Sequence, residues 1–224
     1  MCVFGSCGFF ARFAAGFLVV TIVLGCQQRE AYQLLDRANG YEAAGYENRA
    51  IETYVQAAAA DSSDAYLQSA LAGAYLRRSD YDRASDALRD AIALEPAYLD
   101  AYQNLIRISV AKDDVNAALG WLEKAAHAVP GYRPIYEELV TLYLVSERLD
   151  EAFVLLEDLA ERFPKEAWVH FRLGGLLRFL ERPDEALEAF SQAAYLDDEF
   201  PHLWAEVGNL QYELEAFDEA EDAY

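Results

Sequence analysis

The sequence predicts an all-α solenoid in which one helix–turn–helix repeat recurs along the chain. The main observation is a column of alanines with a constant 34-residue period, formed by Ala50, Ala84, Ala118, Ala152, Ala186 and Ala220. A fixed period in this range indicates a repeat array, in which each repeat packs only on its neighbours. The helical spacing of the apolar residues and the positions of the prolines lead to the same prediction.

Further columns of apolar residues share the period of the alanines. Four residues after each alanine stands a large apolar side chain, namely Tyr54, Leu88, Leu122, Leu156, Phe190 and Tyr224. Thirteen residues before it stand Leu71, Leu105, Leu139, Leu173 and Val207, whereas Arg37 interrupts this column in the first repeat. Because these offsets are sums of three and four, they place an apolar stripe along each predicted helix.

The prolines predict where the helices begin and end. They are Pro96, Pro130 and Pro164 after second helices, Pro134 and Pro201 at the start of first helices, and Pro183 at the start of a second helix. A proline at a helix start is tolerated because its missing N–H has no intrahelical partner, whereas one in a helix interior costs about 3 kcal/mol. Gly45 is expected in a turn between two helices.

The register divides the chain into repeats 31–64, 65–98, 99–132, 133–166, 167–200 and a partial repeat 201–224. In this 34-residue unit the sequence resembles the tetratricopeptide repeat family, most clearly in AYLQSALAGAYLRRSDYDRASDALRDAIALEPAY. The resemblance implies a right-handed superhelical solenoid of helix–turn–helix units. Ile106 and Val140 depart from it, because the family prefers small residues in their column, such as Gly174.

The chain is strongly acidic, with 39 acidic and 18 basic residues and a formal net charge of −21. Such a charge repels phosphates and argues against nucleic acid as a partner. Many of the acids stand in the first turn of a second helix, where the helix dipole favours each by roughly 0.3–1 kcal/mol. The acidity is therefore largely structural, and it permits a basic protein partner.

No catalytic or metal-binding pattern stands out in the sequence. The three histidines, His127, His170 and His202, fall in different repeats at different helical positions, and no cysteine joins them. Metal sites and nucleophilic catalysis need such residues at defined spacings. We therefore expect no enzyme activity, no cofactor, no metal ion and no small-molecule substrate.

The first 25 residues predict an export signal. An apolar run over 13–24 follows Arg12 and is shorter than the roughly 20 residues that span a bilayer. The residues before Cys26, Val-Leu-Gly, make it resemble the lipidated cysteine of a bacterial lipobox. These features assign 1–25 as a lipoprotein signal peptide and Cys26 as the lipidation site.

The residues after Cys26 predict where the protein would be anchored. A short tether, 26–30, would hold the first repeat close to the bilayer. Because Gln27 is not an aspartate, the resemblance to lipoproteins implies the outer membrane, facing the periplasm. One alternative is an uncleaved signal anchor over Val3–Leu24 in the inner membrane. An ordinary secretory signal, or a wrongly chosen start, is the other.

The resemblance also implies a binding surface, the concave face lined by the first helix of each repeat. The predicted groove consists of Tyr66, Gly73, Arg77, Arg107, Thr141, Trp168, Phe171, Gly175, Arg178, Phe179, Asn209 and Tyr212, and its columns include Tyr32 and Asn39 in the first repeat. Gly73 and Gly175 would let a ligand backbone approach closely. The aromatic residues would supply contact area at low entropic cost, although Trp168 and Phe179 would also fit partial packing against adjoining helices.

These features predict a membrane-anchored scaffold or adaptor of the bacterial cell envelope, which binds protein segments with apolar anchors and some basic residues. The groove columns contain no lysine, so the carboxylate clamp of chaperone-binding family members is not expected. In the alternative interpretation, the chain ends at Tyr224 within a partial repeat because it is the N-terminal arm of a longer protein. That arm would recruit substrates or partners for further repeats or a catalytic domain.

Overall fold

The computed structural model describes residues 27–197 and 203–214, and this part of the chain consists of α-helices joined by short turns. The predicted signal peptide and Cys26 lie outside the described residues, as do Ala220 and Tyr224. The helices are α1 (27–43), α2 (Glu47–Ala60), α3 (Ala65–Arg77), α4 (Tyr81–Leu94), α5 (Leu99–Ala111), α6 (Val115–Ala128), α7 (Arg133–Val145), α8 (Leu149–Arg162), α9 (Ala167–Phe179), α10 (Pro183–Leu196) and α11 (Leu203–Glu213). None of these helices is long and apolar enough to cross a bilayer.

The helix boundaries follow the 34-residue period. The first helices of four successive repeats begin at Ala65, Leu99, Arg133 and Ala167. Side chains and prolines reinforce these boundaries. Asp64 accepts hydrogen bonds from the backbone N–H groups of Tyr66 and Leu67 at the start of α3, and Pro183 is the first residue of α10. A carboxylate cap and a proline both suit a helix start, where the backbone N–H groups have no partners within the helix.

The chain divides into two compact units, Met1–Tyr132 (the N-terminal half) and Arg133–Tyr224 (the C-terminal half). In the N-terminal half, consecutive helices from α2 to α6 pack on each other, and so do those from α7 to α11 in the C-terminal half. The alanine column lies at the centre of these contacts, since Ala84, Ala118, Ala152 and Ala186 are completely buried. A small side chain in this column lets two helices approach closely.

Two facing columns show how the core fills its space with side chains of different sizes. At Gly174, an added Cβ would lie 2.9 Å from Cδ1 of Phe190, whose side chain is 1% exposed. The ring of Phe190 also packs on Phe171, with centroids 5.6 Å apart. In the third repeat the same two columns hold Ile106 and Leu122, both buried. The aromatic ring of Phe190 thus stands with a glycine, whereas the smaller Leu122 stands with a residue larger than glycine.

In each of the first five repeats, a left-handed residue closes the turn between the two helices. The five residues are Gly45, Ser79, Asp113, Glu147 and Glu181, which recur once per repeat with φ between 57° and 78°. In each turn the next residue donates its N–H to a carbonyl five positions back, as from Asp80 to Tyr75 (3.0 Å) and from Arg182 to Leu177 (3.0 Å). This is the Schellman motif, in which the left-handed position favours glycine.

We expect Glu181→Gly to raise the free energy of unfolding by about 0.5–1 kcal/mol, because glycine adopts a positive φ without steric cost. Gly45→Ala should lower it by about 1 kcal/mol for the opposite reason. Urea denaturation measures both. Glu188→Gly is the matched control, since Glu188 is exposed within α10 and glycine in a helix costs about 1 kcal/mol. Equal effects at positions 181 and 188 would contradict this account of the turns.

Candidate functional site

In the N-terminal half, the predicted groove residues Tyr66, Gly73 and Arg77 lie on α3, and Arg107 lies on α5. Tyr66 is 51% exposed, Arg107 is exposed and Arg77 keeps half of its side chain in solvent. The Arg77 guanidinium forms an ion pair with Glu42 of α1. A Cβ at Gly73 would meet only the Arg77 side chain, at 3.5 Å. This surface is therefore open, but the charge of Arg77 is already paired within the protein.

Next to these residues, Tyr32 of α1 and Tyr66 of α3 form a stacked aromatic pair. Their ring centroids are 6.5 Å apart and the ring planes differ by 9°. Asp64 holds the pair in place, because it accepts from the Tyr32 hydroxyl (2.9 Å) and from the backbone N–H of Tyr66 (2.8 Å). The hydrogen bond to Asp64 is the main cause of the raised pKa of Tyr32, and burial adds to it.

In the C-terminal half, an apolar cleft of about 370 Å³ opens beside α9. Its lining consists of Leu144, Leu149, Phe171, Arg172, Gly175, Leu176 and Phe179. Phe179 is 70% exposed, and a Cβ at Gly175 would have no neighbouring atom within 4 Å. The structure thus brings three predicted groove residues, Phe171, Gly175 and Phe179, into one cleft.

Leu149, Arg172 and Leu176 also line the cleft, although they were not among the residues predicted from the groove columns. Leu149 is the first residue of α8, the second helix of its repeat. A rule that selects columns of first helices cannot find it. The available signal was its position directly after the turn that ends α7, since the turn brings the start of α8 beside the end of α7.

Two other predicted groove residues of α9 already make contacts with other helices of the protein. Trp168 is 5% exposed, and the Arg133 guanidinium carbon lies 5.4 Å from its ring centroid. Trp168 therefore packs inside the C-terminal half and presents little surface to a ligand. Arg178 forms ion pairs with Glu206 and Glu213 of α11. Its charge joins two helices, which makes it a connecting residue rather than an open contact.

The remaining predicted residues lie on α7 and α11. Thr141 is exposed, and its hydroxyl donates to the carbonyl of Glu137 at 2.7 Å. Asn209 is exposed and Tyr212 is 63% exposed on α11. Tyr212 is one residue away from Glu213, which pairs with Arg178 of α9. These side chains stand at the surface, outside the lining of the cleft.

A second cleft of about 380 Å³ lies between α8, α9 and α10 and is lined partly by Glu157, Glu185, Glu188 and His170. His170 Nε2 is 3.2 Å from the carbonyl oxygen of Pro164, and Glu185 forms an ion pair with Arg182. Over residues 27–197 and 203–214, no three histidine, cysteine, aspartate or glutamate side chains are grouped to hold a metal ion. His127 lies on α6, and His202 lies outside the described residues.

Comparison with known proteins gives two matches to family models, both described as tetratricopeptide repeat, over residues 75–143 and 169–200. No curated protein matches the chain. Among solved structures, pilF of Pseudomonas aeruginosa is 18% identical, with a TM-score of 0.52 over 88% of this chain and 90% of that one. MamA of Desulfovibrio magneticus RS-1 is also 18% identical, with a TM-score of 0.52 over 71% of this chain and 90% of that one.

At this level of identity, the solved structures show a shared fold and nothing of partners. They agree with the all-α repeat array of this chain, in which the helix starts follow the 34-residue period. Both family matches fall on this array. The first lies mainly in the N-terminal half and extends to residue 143, and the second lies in the C-terminal half. The repeats of this chain are tetratricopeptide repeats.

Proposed function

We propose that the protein is a membrane-anchored scaffold of the bacterial cell envelope, which binds segments of partner proteins along the first helices of its repeats. Tetratricopeptide repeat proteins bind protein or peptide partners, and the fold of this chain supports the same general role. The observation that carries the specific proposal is the apolar cleft beside α9, lined by Phe171, Gly175 and Phe179.

The cleft has the properties of a site for an apolar side chain. Its volume of about 370 Å³ falls within the roughly 300–1,000 Å³ of small-ligand pockets. Phe179 keeps most of its ring in water, at 70% exposure, and fully burying a side chain of this kind contributes about 1.5–3 kcal/mol. The open backbone at Gly175 leaves room for the partner's main chain. An apolar residue of a partner segment would therefore gain contact without displacing any side chain.

Filling the cleft from within tests this role. We expect Gly175→Leu to abolish retention of partners from a detergent extract of the cell envelope, because the new side chain would occupy the cleft. Gly120→Leu is the matched control, since a Cβ at Gly120 of α6 also meets no atom within 4 Å and lies in the other half. Quantitative mass spectrometry of the retained proteins is the measurement. Identical partner sets for the two variants would remove the cleft as the binding surface.

The start of α1 determines how close a lipid anchor at Cys26 would hold the first repeat. Residues 27–30, predicted as part of a short tether, belong to α1. Four helical residues rise only about 6 Å, at roughly 1.5 Å each. A lipid on Cys26 would therefore hold the first repeat directly at the bilayer, closer than an extended tether would.

Metabolic labelling with a radiolabelled fatty acid tests the anchor. We expect the wild-type protein to carry the label and Cys26→Ser to lose it, because a thioether requires the thiol. Fractionation should then place wild-type protein in the outer membrane. A wild-type protein that remains membrane-bound without label would instead support the uncleaved signal anchor over Val3–Leu24.

A further inference from the structure

We propose that the stacked pair Tyr32 and Tyr66, together with the carboxylates of Asp64 and Asp100, binds an arginine side chain of the partner segment. This tyrosine subsite lies in the N-terminal half, on α1, α3 and α5 and at the N-terminal cap of α3. It deepens the proposed function, on which it rests, by adding a basic anchor to the apolar one.

The repeat explains the parallel rings. Tyr32 and Tyr66 are one repeat apart and occupy the same column of successive repeats. Successive repeats present equivalent side chains in similar orientations, so the ring planes differ by only 9°. Tyr32 is 38% exposed and Tyr66 is 51% exposed. Both rings therefore keep accessible π-surface, which carries the negative side of the aromatic quadrupole.

Several other aromatic rings of the chain are already covered by its own cations. Lys124 lies 4.2 Å from the ring centroid of Trp121, and Arg83 lies 4.7 Å from that of Tyr75. Similar contacts cover Tyr46, Phe153, Tyr136, Tyr143, Phe163 and Trp168. Within the described residues, no arginine or lysine covers Tyr32 or Tyr66. This pair is thus a place where a cation from another molecule would find an uncovered ring.

The charges around the pair complement a cation. Asp64 lies against both tyrosines, and its two oxygens accept three hydrogen bonds in total. Asp100 occupies the column of the two tyrosines in the third repeat and is exposed. Asp100 and Tyr66 both contribute to the raised pKa of Tyr98, for which burial is the main cause, so both groups lie within electrostatic reach of that residue.

Arginine fits this arrangement better than lysine. Its guanidinium is planar, stacks on an aromatic face and can donate two hydrogen bonds to one carboxylate, whereas the lysine ammonium is a compact and strongly hydrated charge. The cleft beside α9 includes Arg172 in its lining, so it would repel a basic side chain. A basic anchor and an apolar anchor would therefore be bound at different places.

The test is calorimetric titration of the purified protein with hexa-arginine. We expect the double variant Tyr32→Leu/Tyr66→Leu to bind about five- to tenfold more weakly, because it loses two cation–π contacts without any change of charge. Tyr195→Leu is the control, since Tyr195 is 85% exposed on α10, in the other half. Tyr66→Phe should retain the wild-type affinity, since phenylalanine keeps the ring. Hexa-lysine should bind the wild type more weakly than hexa-arginine does.

A second comparison separates the subsite from general attraction to an acidic protein. Asp100→Asn and Asp90→Asn remove the same charge from exposed positions, and only the first should weaken hexa-arginine binding severalfold. Equal affinities for wild type and the double tyrosine variant would overturn the proposal, leaving attraction by net charge alone. Hexa-arginine has no apolar side chain to fill the cleft at Gly175. The outcome is therefore independent of whether that cleft binds partners.

Discussion

Replacing Phe190 with alanine is expected to lower the free energy of unfolding of the C-terminal half by about 3–5 kcal/mol. Phe190 is 1% exposed and packs between the Gly174 backbone and the Phe171 ring. Alanine would leave a cavity, because Gly174 has no side chain that could move into the space. Urea denaturation followed by tryptophan fluorescence measures the loss, with hydrogen exchange of α9 and α10 to locate it.

Phe179→Ala provides the matched control, since it removes the same atoms from a site that is 70% exposed. We expect this variant to change stability by no more than about 0.5 kcal/mol. The two phenylalanines should therefore separate stability from function, with loss of folding at Phe190 and loss of partner binding at Phe179. Similar destabilisation by both variants would contradict the packing described for Phe190.

Adjacent glycines in α9 should respond to alanine with opposite signs. Gly174→Ala should lower the free energy of unfolding by about 1–3 kcal/mol, because its Cβ would lie 2.9 Å from the Phe190 ring and overpack the core. Gly175→Ala should raise it by about 0.5–1 kcal/mol, because its Cβ meets open space and alanine is the better helix former. Thermal and urea denaturation of the two single variants measure this difference.

A smaller side chain at position 190 should relieve the overpacking. In Gly174→Ala/Phe190→Leu, the pair would take the sizes found in the second repeat, where Ala72 and Leu88 are both completely buried. We expect the double variant to be more stable than the sum of the two single effects, by about 0.5–3 kcal/mol. Strict additivity would show that the two positions do not compete for the same space.

Most of the fold could be predicted from the period of the sequence. The period predicts helix starts at 65, 99, 133 and 167, and the structure has helices beginning at these residues. Ile106 and Val140 depart from the small residues of the family. The structure accommodates both, since each is buried in a repeat whose facing column holds leucine, at Leu122 and Leu156, rather than an aromatic ring. The side-chain size that fits at a position in one column therefore depends on the residue in the column that faces it.

The candidate site could be predicted from the sequence only in part. Column positions identify the first-helix residues Phe171, Gly175 and Phe179, which do line one cleft. They leave open whether Trp168 packs against adjoining helices, as it does, and they do not reveal the ion pairs that connect Arg178 to α11. Both depend on contacts between residues of different helices. The stacking of aromatic rings from the first two repeats depends likewise on the orientation of those repeats.

The left-handed turn residues place the same backbone conformation at five equivalent positions of one chain. One conformation recurs five times with glycine, serine, aspartate and two glutamates in the same position. In each turn that lacks glycine, the left-handed residue can be replaced by glycine in a separate variant. These variants differ from one another only in the repeat whose backbone strain is removed. Because the stability of a repeat array is approximately a sum over repeats and their interfaces, such a series would reveal which end unfolds first. Substitutions at these turn positions during evolution can likewise stabilise or destabilise one repeat without altering the surface of the neighbouring repeats.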